Sequence, residues 1–128
     1  MTATGGTITT SGNDKIHTFT GPGTFTVSGA ASCAADNVVS YLIAGGGSGG
    51  SADRGGGGGA GGYRELVSPS SPYSGSPLNG YPNAPNRVTV TATAFPITVG
   101  SGANSNPYPQ KGNNGNVSTF STITSAGG

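Results

Sequence analysis

Val38-Val39-Ser40-Tyr41-Leu42-Ile43-Ala44 runs directly into Gly45-Gly46-Gly47-Ser48-Gly49-Gly50, and the junction of these two stretches decides how the fold is read. The first stretch carries apolar groups on both strand faces, the pattern of a central strand covered on both sides. It is the leading core candidate. The second opens a tract, residues 45–62, with 12 glycines in 18 positions and almost no side chains to bury. A strand ending in Gly45 to Gly50 formally fits G-x-G-x-x-G, half of a dinucleotide-binding context. The other half is a helix whose N-terminus faces a pyrophosphate. Here more glycine and Ala52-Asp53-Arg54 follow, and glycine is a poor helix former, so no cofactor is expected. A Walker loop fails because neither Lys15 nor Lys111 follows a glycine-rich loop.

Working upstream, Thr7-Ile8-Thr9-Thr10, Lys15-Ile16-His17-Thr18-Phe19-Thr20 and Thr24-Phe25-Thr26-Val27 are β-favouring runs, separated by Ser11-Gly12-Asn13-Asp14 and Gly21-Pro22-Gly23. They predict a meander with its apolar face inward, and with a bulge or strand end between Ile16 and Phe19. Downstream, residues 68–86 hold Pro69, Pro72, Pro77, Pro82 and Pro85, which excludes helix and interior strand and predicts a surface excursion. Arg87 to Ala94 alternates Val88, Val90, Ala92 and Ala94 with threonines and reads as the clearest strand. A bend at Phe95-Pro96, a strand Ile97 to Gly100 and a last run Val117 to Thr124 complete the chain. No segment has helical periodicity. About seven or eight short strands with Gly/Pro/Asn connectors predict an all-β fold, an antiparallel β-sandwich of jelly-roll-like type, as one domain over residues 1–128. The threonine faces are expected to meet solvent or another subunit.

Only 31% of the 128 residues are apolar and 26 are glycine, so a lone subunit has a thin stability margin and subunit contacts are expected to add to it. Charged residues make up 7% and the net charge is +1, against ~25% charged in average domains. No basic stripe is available for phosphates, so nucleic acid is not expected as a partner. A neutral Ser/Thr/Asn/Gly surface suits subunits that pack without mutual repulsion, and it also suits contact with carbohydrate. Cys33 is alone and lacks companion ligands, so neither a disulfide nor a metal site is expected. The N-terminus shows no leader pattern and no run reaches the ~18 apolar residues of a membrane span. Synthesis in a cytosol without membrane insertion is therefore expected.

Catalysis finds no foothold in the residue pattern. A Ser/His/acid triad would have to use His17, which sits in a short strand beside Ile16. The four carboxylates are scattered, and nothing marks two of them as a glycosidase pair. No catalytic residue is assigned. Collagen is excluded by five consecutive glycines, Gly55 to Gly59. A polyglycine II lattice needs several rods, and with one interrupted rod in view such packing is expected only between subunits. Tyr63, Tyr73, Tyr81 and Tyr108 flank or lie in the loops, where each ring either pins its own loop or contacts a neighbouring subunit or a sugar. Asn116-Val117-Ser118 fits a glycosylation sequon and, without a leader, is read as coincidence.

The blocks Gly6-Thr7-Ile8-Thr9, Lys15-Ile16-His17-Thr18-Phe19, Gly23-Thr24-Phe25-Thr26-Val27, Tyr41-Leu42-Ile43-Ala44-Gly45-Gly46-Gly47 and Gly57-Gly58-Gly59-Ala60-Gly61-Gly62-Tyr63 resemble, in that order, the glycine-rich domain of phage tail-fibre and other virion proteins. Phe95 to Gly100 and Ser118 to Gly128 are similar to that family's strand before a glycine turn and to its closing strand. The resemblance implies a non-enzymatic homo-oligomer, commonly a trimer, on a virion surface. Other virion proteins, and a host-surface glycan, are its implied partners. Two departures stand out. The chain ends at Gly128 without a long second glycine tract, and its proline-rich excursion is long; both favour an architectural role, such as capsid decoration or a filament subunit, over receptor binding.

Overall fold

The computed structural model describes residues 1–52 and 55–128; Asp53 and Arg54, part of the glycine tract, lie outside the described residues. Among the described residues nine strands form in chain order: β1 (Thr2–Thr4), β2 (Thr7–Ser11), β3 (Asp14–Thr18), β4 (Gly23–Gly29), β5 (Tyr41–Ala44), β6 (Tyr63–Leu66), β7 (Ala94–Thr98), β8 (Ser118–Phe120) and β9 (Ile123–Ser125). The fold is all-β with antiparallel sheets: a five-stranded sheet of order β1-β4-β7-β8-β9 and two hairpins, β2-β3 and β5-β6. Short 3-10 turns at Ala34–Asn37 and Ala84–Asn86 are the only helical pieces among the described residues.

Alternation builds the core. Phe25 and Val27 of β4 point inward with Phe95 and Ile97 of β7, Phe120 of β8 and Ile123 of β9, while the threonines between them face out. Phe120 meets Phe25, Tyr41 and Phe95 edge-on, with ring centroids 6.0–6.2 Å apart, the offset geometry that the ring quadrupole favours. The second layer over this face is made by Val88 and Val90 and by β5-β6, which packs on β8 and β9.

Three local expectations are corrected. Val38 to Ala44 is not a doubly covered central strand: the strand begins at Tyr41, pairs only with β6, and leaves Leu42 63% exposed. The clean alternation of Arg87 to Ala94 is real, and Val88 and Val90 are buried. Yet the backbone there makes one isolated antiparallel bridge, Val38↔Thr89, closed by Val39 N–H to Val88 O and Val90 N–H to Asn37 O, because the Ala34–Asn37 turn cuts its neighbour short. Strand begins at Ala94 and runs through Phe95-Pro96, where a bend was expected. Pro96 is tolerated because pairing with β8 starts only at Ile97↔Phe120, leaving no ladder bond for its missing N–H to break. The last run divides into β8 and β9 around a two-residue turn with Ser121 at φ 53°.

Candidate functional site

The glycine tract folds into a bundle of rods. Along residues 45–52 the backbone N–H groups of Gly45, Ser48 and Ser51 donate to the carbonyls of Gly62, Gly59 and Gly56, at 2.8, 2.9 and 3.2 Å. Those of Gly46, Gly49 and Ala52 donate to Asn116, Asn113 and Asn106, at 2.9–3.0 Å. On a third side the Gly47 carbonyl accepts from Ala103 N–H at 2.9 Å. Residues three apart thus face one side, Gly45, Ser48 and Ser51 toward residues 55–62 and Gly46 and Gly49 toward residues 112–116, with Ala52 crossing to Asn106, the pattern of a polyproline II-type rod with three residues per turn. The rod is central; residues 55–62, 101–106 and 112–116 surround it, and Gly128 N–H reaches the Gly46 carbonyl at 2.9 Å.

Close approach explains the composition. A Cβ on Gly45 would overlap the Ala126 carbonyl, one on Gly58 the Ser48 carbonyl, and one on Gly115 the Gly46 carbonyl. Where a side chain does appear in the rod, it bonds to a neighbour: Ser48 Oγ accepts from Gly59 N–H at 2.6 Å, and Ser51 Oγ donates to the Gln110 carbonyl at 3.0 Å. Lattice packing, expected only between subunits, is therefore achieved inside one chain. Its other rods come from the Asn/Gly-rich loop after β7 and from the C-terminal residues, which no glycine count singles out.

The profile of one protein family, described as the Glycine-rich domain, matches residues 17–128. The chain belongs to that family. No curated protein and no solved structure matches it.

In this glycine-rich domain the four tyrosines separate. Tyr108 is 72% exposed near the Asn106–Lys111 turn. Tyr73 is exposed and reaches the Ser11 carbonyl at 3.5 Å. Tyr81 lies under the Arg87 guanidinium, 4.2 Å from ring centroid to Cζ, while Arg87 Nε donates to the Tyr81 carbonyl at 2.9 Å; this ring pins its own loop. Tyr63 alone borders a concave site, a groove of about 170 Å³ between β5-β6 and the proline-rich segment.

Of the residues that line the groove, the sequence reading offered only Tyr63 as a contact; Tyr41, Arg64, Glu65, Leu78, Gly80 and Asn86 escaped it. The Glu65 carboxylate anchors the excursion. It accepts Ser76 N–H at 3.0 Å, the Ser76 hydroxyl, and the Tyr63 hydroxyl at 3.0 Å. The Ser76 hydroxyl and amide hold its pKa below the ordinary carboxylate value, because hydrogen-bond donors favour the charged form. Partial burial, then the neighbouring Glu65, push the Tyr63 phenol up. Tyr41 Oη donates to the Asn86 carbonyl at 2.7 Å, and burial raises the pKa of its phenol, with a smaller opposing effect from Arg64.

His17 faces no triad. Its Nδ1 lies 2.8 Å from the Gly5 carbonyl, so that nitrogen carries the proton, and the ring meets Phe25 edge-on at 4.9 Å. Among the described residues no three His, Cys, Asp or Glu side chains cluster as metal ligands, Cys33 is exposed, and no helix is long and apolar enough to cross a membrane.

Proposed function

We propose that this domain is a non-enzymatic structural module of a virion, a fibre or surface-decorating component that assembles with copies of itself, as a trimer in the leading case, and sits at the particle surface among other virion proteins. The observation that carries this reading is the outer face of the five-stranded sheet. Its strands contain no charged residue. Thr2, Thr4, Thr24, Thr98 and Thr124 lie exposed on it. A sheet face that carries threonines and no charge suits burial against a like surface without mutual repulsion; the register irregularity of this sheet, between Thr2 and Ala3, lies in the edge strand β1. The resemblance to phage fibre proteins points the same way, and the rod bundle supplies a body held by backbone hydrogen bonds instead of a large apolar core.

Sedimentation of the purified protein, with electron microscopy of any assembly, tests the reading. Thr98→Lys combined with Thr124→Lys puts two charges on the exposed face and is expected to dissociate the oligomer while leaving the β-sheet circular dichroism intact. A wild-type protein that stays monomeric at high concentration overturns it.

A further inference from the structure

We infer that the groove between β5-β6 and the proline-rich segment is a binding site for one neutral pyranose residue of a glycan. This inference is independent of the assembly reading. The space, about 170 Å³, is below the ~300–1,000 Å³ of sites that enclose drug-sized ligands, so it admits a single ring. Its wall offers what a pyranose needs. The rings of Tyr63 and Tyr41 and the exposed side chain of Leu78 supply apolar surface for the C–H face. Glu65, Asn86 and Arg64 supply acceptors and donors for the hydroxyl rim.

The polar groups are held in place before any ligand arrives. Glu65 is fixed by Ser76 and Tyr63, the Asn86 amide donates to the Gly80 carbonyl at 3.2 Å, and the Tyr41 hydroxyl is tied to the Asn86 backbone. Groups already ordered lose little entropy on binding. A carboxylate has about four acceptor positions, and three at Glu65 are taken by Ser76 and Tyr63, which leaves one for a sugar hydroxyl. Charge selects the ligand class: the lining holds one carboxylate, Glu65, and one guanidinium, Arg64, so the groove has no net charge to favour an anionic or a cationic sugar over a neutral one. Only one carboxylate lines the groove, so the site holds a sugar without the acid pair that cleavage requires.

The test is NMR titration of the full chain with methyl glycosides of glucose, galactose, mannose and N-acetylglucosamine, and with N-acetylneuraminic acid as the anionic probe. At least one neutral glycoside is expected to bind with a dissociation constant on the order of 1 mM, shifting amides of Tyr63, Glu65 and Asn86. Tyr63→Ala, at a half-exposed position, and the conservative Glu65→Gln are each expected to weaken that binding about tenfold or more, with the rest of the spectrum unchanged. Absence of binding by every neutral probe, tighter binding of the anionic one, or undiminished affinity in both variants overturns the inference; self-association of the protein is unaffected in any of these cases.

Discussion

Ser118 and Ser125 are partners across the β8-β9 ladder, and their hydroxyls have opposite fates. Both residues are buried. Ser118 Oγ donates to the Ala44 carbonyl at 2.7 Å and accepts Gly100 N–H at 2.8 Å, so one hydroxyl joins the sheet, the end of β5 and the start of a glycine rod. Ser125 Oγ has no hydrogen-bond partner among the described residues. Removing a bonded hydroxyl strands two backbone groups, whereas removing an unbonded one relieves a desolvated dipole. Ser118→Ala is therefore expected to cost about 1–3 kcal/mol, and Ser125→Ala to be neutral or stabilising by up to about 1 kcal/mol. Chemical denaturation of the two variants side by side checks both signs.

Position within the rod bundle decides what a glycine tolerates. Gly58 faces the Ser48 backbone with no space for a Cβ, while Gly56 faces open space and has no positive φ. Gly58→Ala is expected to lose roughly 1–3 kcal/mol through overpacking. Gly56→Ala, two residues away, should lie within about 0.5 kcal/mol of the wild type. Equal effects in thermal unfolding would mean that the rods are not packed on one another.

Acid should release the proline-rich excursion. The pKa of Glu65 in the folded chain lies below its ordinary value, mainly through the Ser76 hydroxyl and then the Ser76 amide. The anchoring contribution is thus complete above the ordinary carboxylate range and is lost as pH falls through the depressed folded value. Amide exchange at Ser76 and Gly80, corrected for the intrinsic pH dependence, is expected to lose protection over that window. In Glu65→Gln the loss should have no such pH dependence, and the Tyr63 phenol should titrate lower than in the wild type.

Much of the sheet was legible because alternation is local: Phe25 and Val27 among threonines, and the paired runs on either side of Gly12, appear as strands where the residues say so. Arg87 to Ala94 shows the limit. Its alternation correctly places Val88 and Val90 inside, but whether buried alternating backbone joins a ladder depends on what lies beside it, and that is a turn. The groove was less legible. Tyr63 was in view; Tyr41, Glu65 and Asn86 were not, since 45 residues separate Tyr41 from Asn86 and nothing near either one signals the other.

Length, neutrality and the Thr/Val and Gly patterns were enough, before any coordinates, to exclude helix, membrane-spanning runs and phosphate cradles and to require a β-built body with a side-chain-free tract. Folding alone decided that this tract makes a bundle within one chain. Ser48 and Ser51 stand three apart, as do Gly112 and Gly115, but a three-residue rod makes no bond to itself. Its stability comes from whichever segments lie alongside, and those are drawn together from positions 45 to 128 by tertiary hydrogen bonds that no local pattern encodes.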